Sequence, residues 1–173
     1  MINLSRFDNS SFERGASRGK ELLWWFVRSL LFMPAFPVPS ALKVAALRAF
    51  GANIGRGVVI RSRVNITFPW RLEIGDHAWI GDEVLILSLD HVCIGANTCV
   101  SQRAFLCTGS HDFSKETFDI VTAPIHIGES GWIGAQCFVG PGVEFGPGSR
   151  SLAGAVVVKS VPAGTTVKGT PAK

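Results

Sequence analysis

One histidine in this chain stands where a repetitive sequence stops repeating. In FLCTGSHDF, Phe105 to Phe113, His111 lies in a small polar turn at the end of a run of regularly spaced apolar residues. An imidazole of ordinary pKa, about 6.5, takes a proton from a poor nucleophile and returns one to a leaving group near neutral pH, worth roughly 10²- to 10⁴-fold in rate. A loop histidine also serves simply to bond its own loop, and the residues alone leave both readings open. A general base needs an orienting partner. Asp112, Glu116 and Asp119 are near in sequence, a carboxylate from elsewhere would serve equally, and nothing in the sequence chooses among them.

The other chemistry-bearing residues are less suggestive. His77, His91 and His126 fall at outward or corner positions and read as surface or packing. Cys93, Cys99, Cys107 and Cys137 form no CxxC pair and have no metal-ligand spacing with histidine, so no metal is expected. They read as small reduced residues of a core or wall, which suits a cytosolic compartment.

The elements that position His111 come from an internal period. Apolar residues recur six apart at Ile54, Ile60 and Ile66, then Ile74, Ile80 and Ile86, then Ile94, Val100 and Leu106. After an interruption the step returns at Ile127, Ile133, Val139 and Phe145, skips at Ser151 and ends at Val157. Glycine follows the apolar residue at eight of these fifteen positions, where random placement would give roughly two. A unit of apolar, Gly, x, x, small, x is too short for a strand and its return, and its period is neither helical nor alternating. It suits one flat side of a triangular coil, with glycine supplying the corner angle.

Stacked coils pair each short strand with its counterpart one turn away and pile the apolar residues into an inner column. The reading is an all-β parallel β-helix over 53–161, about five coils of three units, with a protruding loop at 107–125. The 21 residues from Leu106 to Ile127 exceed a full coil by three and read as replacing regular units. Loops that leave a solenoid wall are where sites are built, often against a neighbouring copy. Residues 1–52 form an N-terminal extension, helical over 20–50 and placed to cap the open end, and 162–173 an irregular tail.

Composition agrees with one tightly turned domain: 173 residues, 47% of them apolar, with 19 glycines and only 17% charged. The net charge of +4 is concentrated in the first third, from Arg6 to Arg63. Such a face suits an anionic membrane, a phosphorylated substrate or plain solvent, and no nucleic-acid motif accompanies it. Leu22 to Val38, LLWWFVRSLLFMPAFPV, carries Arg28 and ends in Pro34 and Pro37, short of the roughly 20 apolar residues of a spanning helix. An amphipathic helix packed on the domain is expected, with peripheral contact to an anionic membrane as the sharper alternative.

The stretches IGDHAWIGDEV, IGESGWIGAQCFVGPGVEFGPG and VKSVPAGTTVKGTPAK resemble the hexapeptide-repeat acyltransferases. Within them, FGANIGRGVVIRSRVNITFPWRLEIGDHAWIG and CVSQRAFLCTGSHDF are similar to the colanic acid biosynthesis acetyltransferases of the WcaF type, over nearly the whole chain. The resemblance implies a left-handed β-helix, a homotrimer with sites between subunits, acetyl-CoA as co-substrate and a saccharide hydroxyl as acceptor. It makes His111 the general base. It places the donor along Trp132, Gly134 and Ala135, then Gly154, Ala155 and Lys159, with Lys168 near a CoA phosphate. Several relatives carry an asparagine in the coil before the histidine, whereas LILSLDHV leaves Ser88 and Asp90 as the polar acceptor candidates.

The implied function is O-acetylation of a sugar in exopolysaccharide or other surface glycan biosynthesis, in the cytoplasm or at the inner face of its membrane. Another small acceptor, or a non-catalytic scaffold, would keep the same repeat. A solenoid zinc hydratase would need two histidines five residues apart, and the residue five after His111 is Glu116.

Overall fold

The computed structural model describes residues 2–10 and 12–173. From Asn53 the chain winds into a triangular solenoid, each coil giving one short strand to each of three parallel sheets. Face 1 stacks Asn53–Ile54, Leu72–Ile74, Val92–Ile94, Ile125–Ile127 and Glu144–Phe145. Face 2 stacks Val59–Ile60, Trp79–Ile80, Cys99–Val100, Trp132–Ile133, Arg150–Ser151 and Thr166–Val167. Face 3 stacks Asn65–Ile66, Leu85–Leu87, Phe105–Cys107, Phe138–Val139 and Val156–Val157.

The register puts the apolar residue of each six over its counterpart, Ile54 on Ile74, Ile74 on Ile94 and Ile94 on Ile127. These columns are buried, and each fully buried aliphatic side chain is worth about 1.5–3 kcal/mol. Ser151, which broke the apolar pattern, is buried but satisfied: its hydroxyl accepts from Gly134 N–H and donates to Cys137 Sγ, both at 3.2 Å.

At the corners the backbone differs from the expectation. The left-handed residue is not the glycine that follows the inward residue but the one two places later, as in Arg63 (φ 57°), His77 (59°), Glu83 (60°) and Gly154 (73°). The earlier glycine answers a packing need. A Cβ on Gly55 would lie 2.5 Å from Asp76 N in the next coil, so only a hydrogen fits there.

Two boundaries also change. The solenoid does not stop at 161: Val161 bridges to Phe145 and Thr166–Val167 pairs with Arg150–Ser151, beginning a sixth coil. The step from Val157 to Val161 is four residues, which broke the phase, and Val167 then resumes the step of six. The stretch from Leu106 to Ile127 replaces no coil either. Face 1 passes directly from Val92–Ile94 to Ile125–Ile127, so the insertion sits in a single corner, the one between faces 3 and 1.

The first coil has no predecessor, which leaves the carbonyls of Ile54, Ile60 and Ile66 without the N–H donors their counterparts receive, as Ile74 O does from Gly55 N at 2.7 Å. Two helices lie across this end, α1 (Arg18–Leu31) and α2 (Ser40–Ala49), parted by Pro34, Pro37 and Pro39 rather than continuous over 20–50. Their side chains supply a donor for each face. The Arg48 guanidinium reaches Ile54 O at 2.6 Å. Lys43 Nζ reaches Ile60 O at 3.2 Å and Arg61 O at 2.6 Å. Trp24 Nε1 donates to Ile66 O at 2.9 Å. Among the described residues no helix is long and apolar enough to cross a membrane.

Candidate functional site

The insertion is a β-hairpin. Gly109–His111 pairs antiparallel with Ile120–Thr122, and Asp112 N–H donates to Asp119 O at 2.8 Å beyond the pair. In this register Gly109, His111, Ile120 and Thr122 share one face of the hairpin. Thr108 and Asp90 anchor its base: Thr108 Oγ1 accepts from Asp90 N–H at 2.9 Å and donates to Leu87 O at 2.6 Å, and Thr122 Oγ1 donates to Asp90 Oδ2 at 3.1 Å.

His111 is half-buried between two aromatic rings. Phe118 stacks on it with centroids 4.2 Å apart and planes 3° from parallel, and Phe7 meets it edge-on at 5.7 Å. Nδ1 lies 2.8 Å from the Phe118 carbonyl oxygen. A carbonyl only accepts, so this bond assigns the proton to Nδ1 and leaves Nε2 with its lone pair. Nε2 has no protein partner among the described residues. The loop-bonding and the proton-accepting readings of His111 thus use different nitrogens of one ring.

None of the three carboxylates proposed as orienters is on the imidazole. Asp112 Oδ1 accepts from the Ser114 N–H and hydroxyl at 3.0 and 2.6 Å, closing the turn, and the Ser114 hydroxyl bond leads in holding its pKa below the usual range. Asp119 pairs with Lys115 at 2.9 Å, which lowers its pKa likewise, and Glu116 pairs with Arg6 at 3.0 Å. The group on the imidazole is instead the main-chain carbonyl of Phe118, a residue with a φ of 51°.

Residues 2–10, with 12 and 13, run back over the hairpin as an arm. Asn3 N–H donates to Glu116 O at 2.9 Å, and Arg71 holds the carbonyls of Glu13 and Leu89. Between arm and hairpin lies a polar cavity of about 460 Å³ walled by Asp8, Arg71, Asp90, Lys115, Asp119 and Thr122; Ile120, the strand partner of His111, also lines it, but His111 itself does not. Asp90 therefore opens into this cavity. Ser88 does not: it is fully buried and exchanges both hydrogen bonds with the Phe68 backbone, accepting at 2.9 Å and donating at 3.0 Å. A larger hollow of about 910 Å³ is an open trough along face 1, toward its other edge, and does not include His111.

The residues matched to a donor groove lie elsewhere. Trp132 stands half exposed on face 2, its Nε1 donating to Ser101 Oγ at 2.8 Å. Ala135 and Gly154 stack at the corner between faces 2 and 3, Gly154 N–H donating to Ala135 O at 2.8 Å. Lys159 and Lys168 are exposed, the first after face 3, the second after face 2. Gly134 and Ala155 are buried, and a Cβ on Gly134 would lie 2.6 Å from Ser151 O, so small size at Gly134 serves the stacking of coils.

In a triangular coil the corner between faces 3 and 1 is the vertex opposite face 2. His111 and Trp132 consequently point to opposite sides of one chain. Sequence reasoning missed Phe118, Phe7, Thr108 and Arg71; the Phe118 carbonyl has no side-chain signature at all.

No protein-family model matches the chain. It is 43% identical over 172 residues to Escherichia coli WcaF, assigned as a colanic acid biosynthesis acetyltransferase, an alignment spanning 99% of this chain and 94% of WcaF. The chain belongs to the WcaF family of hexapeptide-repeat acetyltransferases. Galactoside O-acetyltransferase of Escherichia coli is 24% identical over 90% of the chain and 75% of its own length. A Vibrio cholerae hexapeptide-repeat acetyltransferase solved with acetyl coenzyme A superposes with a TM-score of 0.81 at 24% identity, covering 100% of this chain and 96% of that one. A galactoside acetyltransferase solved with coenzyme A gives the same score at 23% identity over 90% and 78%. The fold of this WcaF-family chain is the left-handed parallel β-helix, and its membership makes it an acyltransferase.

Proposed function

We propose that the protein transfers an acetyl group from acetyl-CoA to a sugar hydroxyl, at sites formed between the subunits of a homotrimer. The observation that carries this reading is the His111 imidazole held by the Phe118 carbonyl through Nδ1, with Nε2 left without a protein partner among the described residues, on a hairpin whose returning strand from Asp119 to Thr122 lines a polar cavity. Nε2 takes the hydroxyl proton as the oxygen bonds to the acetyl carbon. When the carbon–sulfur bond breaks, the imidazolium returns that proton to sulfur, releasing CoA as its thiol. The cavity's carboxylates at Asp8, Asp90 and Asp119 accept from sugar hydroxyls, and Arg71 and Lys115 donate to sugar oxygens.

The donor lies along Trp132, Ala135 and Gly154 of the neighbouring subunit, with that subunit's Lys168 toward the CoA phosphates, because one chain's own vertex geometry keeps these residues from His111; Lys159, after face 3, shares its own chain's 3–1 corner with the hairpin and reaches the phosphates from there. The relatives named for colanic acid biosynthesis and for galactoside O-acetylation support a glycan acceptor, and the reading places its acetylation in the cytoplasm or at the inner membrane face.

The test is acceptor-dependent release of free CoA, read with a thiol-reactive dye across sugars and sugar nucleotides. The wild type is expected to release CoA with at least one acceptor, and His111→Ala to slow this by roughly 10²- to 10⁴-fold while the thermal transition stays in place. Undiminished turnover by His111→Ala removes the histidine from the reaction.

A further inference from the structure

The inward side of the helical cap is fully used, by Arg48, Lys43 and Trp24 on the open coil, but its outward side is not. On α1 the residues Leu22, Leu23, Trp25, Phe26 and Leu30 are each more than half exposed, and Phe36 beyond the helix is 65% exposed. They sit at helical spacing on one side, opposite buried Glu21 and Trp24. A contiguous apolar face of this kind has a function beyond folding, because the fold is closed without it.

Charge says what the face meets. From Arg14 to Arg71 the chain carries ten cationic side chains and a single acid, Glu21, itself buried and bonded to Arg14 at 3.0 Å. The rest of the chain carries seven cations against twelve acids. Arg56, Arg61 and Arg63 are matched by Asp76, Asp82 and Glu83 of the second coil. Around α1 and α2 the cations Arg18, Lys20, Arg28, Lys43 and Arg48 have hydrogen-bond or aromatic partners at most, and no carboxylate within salt-bridge distance among the described residues. Two copies meeting through this face would bring two such positive caps together, which like charge opposes.

We propose that the outward face of α1, with Phe36, docks the protein on an anionic phospholipid bilayer, the leucines and aromatic rings entering the interfacial layer and the exposed Arg18, with the half-exposed Lys20 and Arg28, facing lipid phosphates. The surface itself carries this proposal. In the side-by-side trimer proposed above the three caps lie at one end of the assembly, so one membrane engages all three at once.

The experiment is flotation of the full chain with vesicles of phosphatidylglycerol in phosphatidylcholine, against pure phosphatidylcholine. Binding is expected with phosphatidylglycerol only, weakening as salt rises. The double substitution Trp25→Ser, Phe26→Ser is expected to lower the bound fraction at least roughly tenfold, since it removes two large apolar side chains from the interface. Its CoA release with a soluble acceptor stays at the wild-type level, which separates this result from any failure of the proposed reaction. No flotation at low salt, or flotation that the double variant leaves intact, overturns the proposal. So does a wild-type assembly that the same two substitutions break apart in vesicle-free sedimentation, which makes the face a contact between copies.

Discussion

The imidazole of His111 is fixed by a group that no side-chain substitution deletes. The Phe118 carbonyl sets the tautomer, and the Phe118 ring, 4.2 Å away and parallel, sets the tilt of the plane. The two contributions separate by mutation. Phe118→Ala keeps the carbonyl and loses the stack, worth about 0.5–1.5 kcal/mol, so kcat is expected to fall by up to about tenfold. Phe118→Pro demands a φ near −65° where the chain has 51°, and it deletes the N–H that bonds Lys115 O at 3.3 Å. The carbonyl then leaves Nδ1, and kcat is expected to fall as far as in His111→Ala. Steady-state rates of CoA release decide it: an alanine variant as slow as His111→Ala means the ring, not the carbonyl, holds the base.

At the scale of elements, the cap and the solenoid meet through main-chain carbonyls, and Lys43 is the more enclosed of the two cationic donors that serve them. Burial also lowers its pKa, with Asp82 opposing. Lys43→Met keeps the stem's packing but leaves Arg61 O without a donor and Ile60 O with the Ser40 hydroxyl alone, at 3.2 Å, at a cost of about 1–3 kcal/mol. Urea denaturation is expected to show that loss, while Leu42→Ala on the exposed side of the same helix moves the midpoint little. An unchanged Lys43→Met midpoint means that packing alone seats the cap. The sequence displayed the columns from Ile54 to Val157 because burial demands an apolar residue every sixth position. It hid the sixth coil, because one four-residue step displaced Val161 and Val167 from the phase. Lys43 and Arg48 looked like solvated cations, since a carbonyl partner leaves no mark on residue type. His111 was visible as a break in rhythm, but its orienter was not, and Ser88 was read as a ligand group because polarity shows in a sequence and burial does not.

For the whole molecule the decisive geometry is the vertex. A hairpin rooted between faces 3 and 1 points away from face 2, and the corner carrying Ala135 and Gly154 lies one side further round the triangle. A side of six residues spans up to about 20 Å at 3.3 Å per residue, too far for one chain to join base and donor. Cyclic packing of identical copies closes that gap by setting one copy's hairpin against the next copy's corner. Complementation tests this. Gly154→Glu places a long acid at the donor corner, where the structure leaves open space around the Cβ position, and Glu83 already occupies the equivalent corner conformation at φ 60°. It should fold and repel the CoA phosphates. Alone, Gly154→Glu and His111→Ala are each expected to be inactive. Co-refolded in equal amounts, they form sites that take an intact histidine from one variant and an intact corner from the other. Random assembly makes about a quarter of all sites whole, so CoA release should return to about a quarter of the wild-type rate. A mixture no faster than its parts would mean that base and donor are carried by a single chain.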